Sequence, residues 1–91
     1  MLDKVKSAMR IDGNEHDDEL QDLILTAKAL CKEVGILESR LIPTDDIARM
    51  AFIQYCKAKF GTDPKDSEKF MFSFNELRNF MSLTQTYTVE D

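Results

Sequence analysis

The chain has 91 residues, of which 43% are hydrophobic and 32% charged, and its formal net charge at pH 7 is −5. This length leaves room for a single folded domain, and the hydrophobic content excludes a disordered chain. The negative charge, with Lys and Arg residues scattered singly along the chain, argues against a surface that grips nucleic-acid phosphates.

The cysteines and the hydropathy pattern do not indicate a secreted or membrane protein. Cys31 and Cys56 form no CxxC motif, and each falls within an apolar helical pattern. We therefore expect buried free thiols in a reducing compartment, with a structural disulfide as the less favoured alternative. Residues 1–10 interleave charged and apolar side chains, so we expect no signal peptide. No apolar run approaches the roughly 18 residues of a membrane span, so we expect no membrane association.

The first half of the chain predicts two helices. A short first helix carries its apolar residues on one face, and Gly13 can serve as its stop. The second helix begins with the acidic run at 17–19, where negative charge is favourable, and Gly35 ends it, with Ile36 folding back onto its last turn. Apolar residues recur along it at steps of three and four: Leu20, Leu23, Ile24, Ala27, Cys31 and Val34.

The second half predicts two more helices. Pro43 disfavours helical geometry at the residue before it, and Thr44 is a suitable N-cap for the third helix. This helix is apolar over most of its circumference, which predicts a central position surrounded by the others. Gly61 ends it, and Asp63 followed by Pro64 predicts the start of a fourth helix that runs to about residue 83.

The fourth helix and the segment after it divide into a core face, an outer face and a tail. One stripe predicts the core face: Phe70, Phe74, Leu77 and Met81. Phe72 and Phe80 point elsewhere, and the pattern leaves open whether they belong to the core or to an interface. Residues 84–91 are polar and β-branched, which predicts an extended, flexible tail. The sequence thus predicts an all-α bundle of about four helices, one domain over residues 1–83, and a C-terminal tail.

The acidic stretch from residue 10 to residue 24 raises the question of a metal site. In a calcium loop of the EF-hand type, Asp12, Asn14 and His16 would be the first three ligands. Asp17 then stands where the sharp turn needs Gly, and Leu23 stands where a bidentate Glu is needed. A single His without a nearby Cys cannot complete a zinc shell either. We therefore expect no metal and no cofactor, and we interpret the stretch as a solvated loop before a helix.

Nothing in the sequence nominates a catalytic residue. There is no Gly-rich phosphate loop, no Ser elbow and no Cys placed near the only His. The carboxylate pair Asp45 and Asp46 has a sufficient structural explanation at a helix start. We therefore expect that the protein is not an enzyme.

Three stretches together resemble one known family. The pattern "VKSAMRID", an acidic loop and "DDELQDLILTAKALCKEVG" looks like the N-terminal half of head-tail connector proteins of long-tailed bacteriophages. The stretch "IPTDDIARMAFIQYCKAKFG" is similar to the family's central helix, which begins after a proline. The stretch "LRNFMSLTQTY" is similar to its closing segment, so the resemblance spans nearly the whole chain.

The resemblance implies a structural protein of the virion, assembled in the cytoplasm of the host bacterium. Its subunits would form a ring, usually of twelve copies, between the portal protein and a tail-side head-completion protein. DNA would pass through the channel without specific binding. Such a ring of twelve would carry about −60 formal charges, which suits a channel through which DNA slides without sticking.

The candidate interface residues lie near the C-terminus: Phe72, Phe80, Leu83 and Tyr87. We expect the tail to be mobile in the free chain and to become ordered in the ring with Tyr87 buried. Two alternatives stay open. One is a small helical regulator or antitoxin-like module that binds one protein partner. The other is a DNA-binding domain, for which the third helix offers few basic residues: Arg49, Lys57 and Lys59.

Overall fold

The architecture, seen in a computed structural model that describes residues 1–90, is all-α. Asp91, the last residue of the predicted tail, lies outside the described residues. The α-helices, in chain order, are α1 (Leu2–Met9), α2 (Asp17–Glu33), α3 (Asp46–Lys59), α4 (Pro64–Ser82) and α5 (Gln85–Thr88). A short 3-10 helix at Glu38–Arg40 lies between α2 and α3, and residues 1–90 contain no strand. The predicted bundle of about four main helices is confirmed.

The end of α1 differs from the prediction. The helix ends at Met9, four residues before the predicted stop at Gly13, because Arg10 itself adopts the left-handed conformation with φ 57°. The Arg10 N–H donates to the Ser7 carbonyl, and the Ile11 N–H donates to the Lys6 carbonyl. These bonds satisfy the last carbonyls of the helix, which a left-handed residue can achieve without being glycine.

The end of α2 follows the prediction. Gly35 has φ 91°, a conformation that glycine adopts at no steric cost. The turn brings Ile36 back, so that its N–H donates to the Cys31 carbonyl at 3.3 Å and its side chain is only 2% exposed. Most of the apolar stripe of α2 faces inward, as its spacing predicts. Val34 is the exception: it lies just after the last helical residue and is 39% exposed.

The starts of α3 and α4 are both capped by aspartate. Asp45, and not Thr44 as the sequence predicted, caps α3, accepting the N–H groups of Ile47 at 3.1 Å and Ala48 at 2.9 Å. Asp63 caps α4 as predicted. Each cap satisfies N–H groups that have no partner within their own helix, which stabilises the fold by about 1 kcal/mol.

The core is built around α3, as the apolar pattern predicts. This helix packs against α1, α2 and α4 and buries residues on several sides. Its Phe52 and Cys56 are fully buried, and so are Leu20 and Cys31 of α2 and Phe74 of α4. Both cysteines are free, and burial raises the pKa of each thiol to about 11, which keeps it protonated at neutral pH.

Helices α2 and α4 run in the same direction. At the start of α2, the His16 ring packs edge-on against the Phe60 ring, which lies just before α4, with 5.1 Å between the centroids. Near the end of both helices, the Arg78 Nε of α4 donates to the Leu30 carbonyl of α2 at 2.7 Å. Each of the two helices has buried residues on the side facing the bundle and exposed residues on the opposite side. None of the described helices is long and apolar enough to cross a membrane.

Candidate interaction surface

The outer face of α4 carries exposed apolar side chains. Phe72 is 66% exposed, Phe80 50% and Leu83 79%, whereas Phe74 and Met81 point into the core. With 3.6 residues per turn, these three side chains lie within about 80° of one another around the helix axis. Three exposed charged residues share that arc, so we define the α4 outer face as Lys65, Lys69, Phe72, Glu76, Phe80 and Leu83.

Phe72 forms a ridge between two shallow clefts. The first, of about 360 Å³, lies between α4 and Val34 at the end of α2. The second, of about 250 Å³, lies between α4 and two residues of α3, Met50 and Gln54. The exposed Phe72 ring lines both clefts. Such an arrangement is typical of a surface that packs against another protein. Of the alternatives left open for Phe72 and Phe80, the structure places both at the surface of the chain and not in its core.

Tyr87 has a different position from the other candidate interface residues. Its side chain is only 6% exposed, and its hydroxyl donates to Oδ1 and Oδ2 of Asp45, each at 3.0 Å. Its carbonyl accepts the Leu37 N–H at 2.8 Å. Residues 85–88 form α5, where the β-branched composition predicted extended chain, because these contacts order the segment against its own domain. Tyr87 is thus buried within the chain.

The surroundings of Tyr87 keep its hydroxyl neutral. Burial, then the hydrogen bond to Asp45, then the negative charge of Asp45 raise the pKa of Tyr87 to about 12. The same carboxylate caps α3, so one side chain joins the central helix to the C-terminal segment. Sequence reasoning missed this role of Asp45, because its partner lies 42 positions away and no local pattern relates the two.

The acidic loop that raised the metal question is organised by a lysine. Lys6 Nζ lies 2.7 Å from Asp17 Oδ1 and also donates to the Gly13 carbonyl. Asp12 and Asn14 are exposed. Within residues 1–90, no three His, Cys, Asp or Glu side chains converge in a way that could hold a metal ion. The loop therefore works as a bridge from α1 to the acidic start of α2.

A family model described as "Phage connector protein" matches residues 1–88, almost the whole chain. The chain belongs to this family. No curated protein and no solved structure gives a significant match. Phage connectors are structural proteins that act at the junction of head and tail, so membership implies a component of the virion that interacts with other head or tail proteins. The resemblance read from the sequence is confirmed at the level of the family.

The basic residues of α3 suit this connector better than a DNA-reading domain. Arg49 donates to the Asp46 carboxylate and to the Pro43 carbonyl. Lys57 lies over the Phe70 ring and Lys59 over the Tyr55 ring, 5.7 and 5.8 Å from the centroids. A recognition helix needs basic side chains that are free to reach the groove of DNA. In this connector α3 is a core helix whose cations make contacts within the chain.

Proposed function

We propose that this phage connector forms a ring beneath the portal and links the capsid to the tail around the DNA channel. Membership of the connector family over residues 1–88 carries the proposal. The apolar outer face of α4 supports it, because a domain this small gains stability when neighbouring copies cover such a surface. The proposed ring has twelve copies, and its partners are the portal and a tail-side head-completion protein.

We assign the contacts with neighbours to the exposed residues of the C-terminal half. Phe72, Phe80 and Leu83 are the proposed interface side chains, because they are large, apolar and uncovered in the free chain. Tyr87 contributes by holding the segment after Leu83 against the domain through Asp45. The interface thus consists of three contact residues and one anchor.

The charge of the protein supports a channel that DNA crosses without binding. Each copy carries a formal charge of −5, so a ring repels a polyanion instead of retaining it. The two buried free thiols are compatible with assembly in the reducing cytoplasm of a bacterial host. In this proposal the finished ring resides in the virion.

Mixing the purified protein with purified portal protein of the same phage tests the proposal. We expect the two to co-sediment as one complex, with rings visible by negative-stain electron microscopy. Replacing Phe72 and Phe80 with Ser should weaken the complex at least about tenfold, since buried aromatic anchors dominate interface energies. Ile42→Ser is the matched control, because Ile42 is also exposed but lies in the loop before α3.

Two results would contradict the proposal. A tight dimer that is unaffected by portal would favour the regulator alternative. A complex with portal that contains one copy of the chain and no ring would remove the ring while leaving the family membership intact.

A further inference from the structure

The charges on the α4 outer face follow a defined order. From its N-terminal end the face reads basic, basic, aromatic and acidic, with Lys65, Lys69, Phe72 and Glu76 on successive turns. All four are exposed, and none of the three charged side chains forms an ion pair within residues 1–90. This face therefore presents unpaired charge on both sides of an uncovered aromatic ring.

The outward side of α2 has the opposite order. We define the α2 outer face as Asp18, Asp22, Leu25, Ala29 and Lys32, all exposed and within about 80° around the helix axis. It reads acidic, acidic, apolar, small and basic. Leu25 is 52% exposed, and neither aspartate forms an ion pair within residues 1–90. Lys32 contacts Glu38 at 2.7 Å, but an ammonium group has three donors and can serve a second carboxylate.

The two faces match in register when the helices are parallel. Leu25 follows Asp18 by seven residues, and Phe72 follows Lys65 by seven residues. Placing Phe72 opposite Leu25 therefore sets the two lysines of α4 opposite the two aspartates of α2. Glu76 then lies level with Ala29, about 4.5 Å along the axis from Lys32, a distance that a lysine side chain spans. The small Ala29 leaves space beside the bulky Phe72.

The fold provides the parallel orientation that this register requires. Helices α2 and α4 run in the same direction within the chain, as the contacts at their two ends show. In a ring whose axis runs along these helices, rotation leaves their direction unchanged, so α4 of one copy would meet α2 of the next in parallel. A contact between two different faces is heterologous, and heterologous contacts build a ring when the rotation between neighbours closes.

We propose that the α4 outer face of one copy packs in parallel against the α2 outer face of the next copy. This inference rests on the proposed ring and names the two surfaces that build it. Phe72 packs against Leu25 and Ala29, Lys65 and Lys69 pair with Asp18 and Asp22, and Glu76 pairs with Lys32. Opposite charges fix the register and the direction, because an antiparallel pairing places like charges together and a shifted pairing loses pairs of opposite charge.

Charge reversal in two separate variants tests the contact. Variant one carries Lys65→Glu and Lys69→Glu, and variant two carries Asp18→Lys and Asp22→Lys. Each variant alone places like charges across the contact, and we expect its ring assembly with portal to weaken at least about tenfold. An equimolar mixture should restore assembly, because every contact between the two variants then joins opposite charges. Such a ring alternates the variants, which an even number of copies allows.

Controls separate the interface from folding and from net charge. Lys4→Glu with Arg10→Glu changes the net charge as variant one does, at exposed sites on α1 and its cap, and should leave assembly unchanged. Circular dichroism should show that all variants are folded. A carbodiimide should link Lys65 or Lys69 of one copy to Asp18 or Asp22 of another, which mixing light and ¹⁵N-labelled chains identifies.

The outcomes distinguish this contact from the ring itself. If the wild type forms rings and both single-face variants assemble equally well, the contact is overturned and the ring stands. If both variants are folded but their mixture does not assemble, the pairing of these faces is likewise overturned. If the wild type forms no ring with portal, the ring and the contact fall together.

Discussion

The Tyr87 hydroxyl lies 3.0 Å from both carboxylate oxygens of Asp45, a residue 42 positions earlier in the chain. Asp45 Oδ1 also accepts the N–H groups of Ile47 and Ala48 at the start of α3. One carboxylate therefore stabilises the N-terminus of the central helix and anchors the C-terminal segment. A substitution of either Asp45 or Tyr87 should therefore affect the start of α3 and the C-terminal segment together.

Replacing Tyr87 with Phe tests the anchor with minimal change of shape. We expect the free energy of unfolding to fall by about 1.5–3 kcal/mol, as is typical when a hydrogen bond to a charged group is lost. In a domain of this size each kcal/mol lowers the melting temperature by roughly 4–8 °C, so the effect is readily measured by circular dichroism. Tyr55→Phe is the control, because the buried Tyr55 has no hydrogen bond from its hydroxyl within residues 1–90. Equal losses in the two variants would contradict the anchor.

The anchor should also weaken at alkaline pH. The fold raises the pKa of Tyr87 from 10.0 to about 12, so it favours the neutral hydroxyl. The stability that Tyr87 contributes is therefore fully present below about pH 10 and is lost as the pH rises through about 12. The stability difference between wild type and Tyr87→Phe, measured by urea unfolding, should be constant from about pH 7 to 9 and shrink above about pH 10.

The two buried thiols also make the protein less stable as the pH rises. Burial raises the pKa of Cys31 and Cys56 from 9.0 to about 11, so their contribution falls as the pH rises through that value. Both chains contain these thiols, so the comparison with Tyr87→Phe cancels them. A difference that stays constant to about pH 12 would show that the Tyr87 hydroxyl titrates alike in the folded and the unfolded chain, and that the fold does not raise its pKa.

Because the tail is ordered against the domain, we expect it to be released by local opening of the folded chain. The Leu37 N–H donates to the Tyr87 carbonyl, so its exchange with deuterium reports release of the tail. We expect this amide to exchange faster than amides in the middle of α3 but slower than an unprotected amide, because short terminal helices open before the core unfolds.

Truncation after Leu83 should lower the free energy of unfolding by about 2–4 kcal/mol, since it removes a buried aromatic and its hydrogen bond. An unchanged melting temperature would show that the tail contributes nothing to the free domain.

The local signals in the sequence were sufficient for most of the helices. The spacing of Leu20, Ile24 and Cys31 and the positive φ of Gly35 are features of single segments, so periodicity and glycine chemistry predict them. The same holds for Asp63 and Pro64 at the start of α4. The stop of α1 could not be predicted in this way, because a non-glycine residue, Arg10, supplies the left-handed cap.

The position of the tail could not be predicted from any single segment of the sequence. Residues 84–90 have little apolar surface, and their composition alone favours an extended chain. The pairing of Tyr87 with Asp45 overrides that preference, and it requires the folded bundle to bring the two together. The angular position of Phe72 on α4 separates it from the core stripe, but it left open whether its ring is exposed. The charge match with α2 required the direction of both helices.

Phe74 and Phe72 lie on opposite faces of α4. Phe74 is 1% exposed and its ring packs 5.0 Å from that of Tyr55, whereas Phe72 is 66% exposed. Phe74→Ala should lower the free energy of unfolding by about 3–5 kcal/mol through lost burial and the cavity left behind. Phe72→Ala should change it by less than about 0.5 kcal/mol, because its ring is mostly in water in the free chain. In assembly with portal the order should reverse: Phe72→Ala should weaken the ring although the chain is fully folded, a result that a purely structural role would not produce. A large loss of stability on replacing Phe72 would place its ring in the core, and it would remove α4 from the proposed interface.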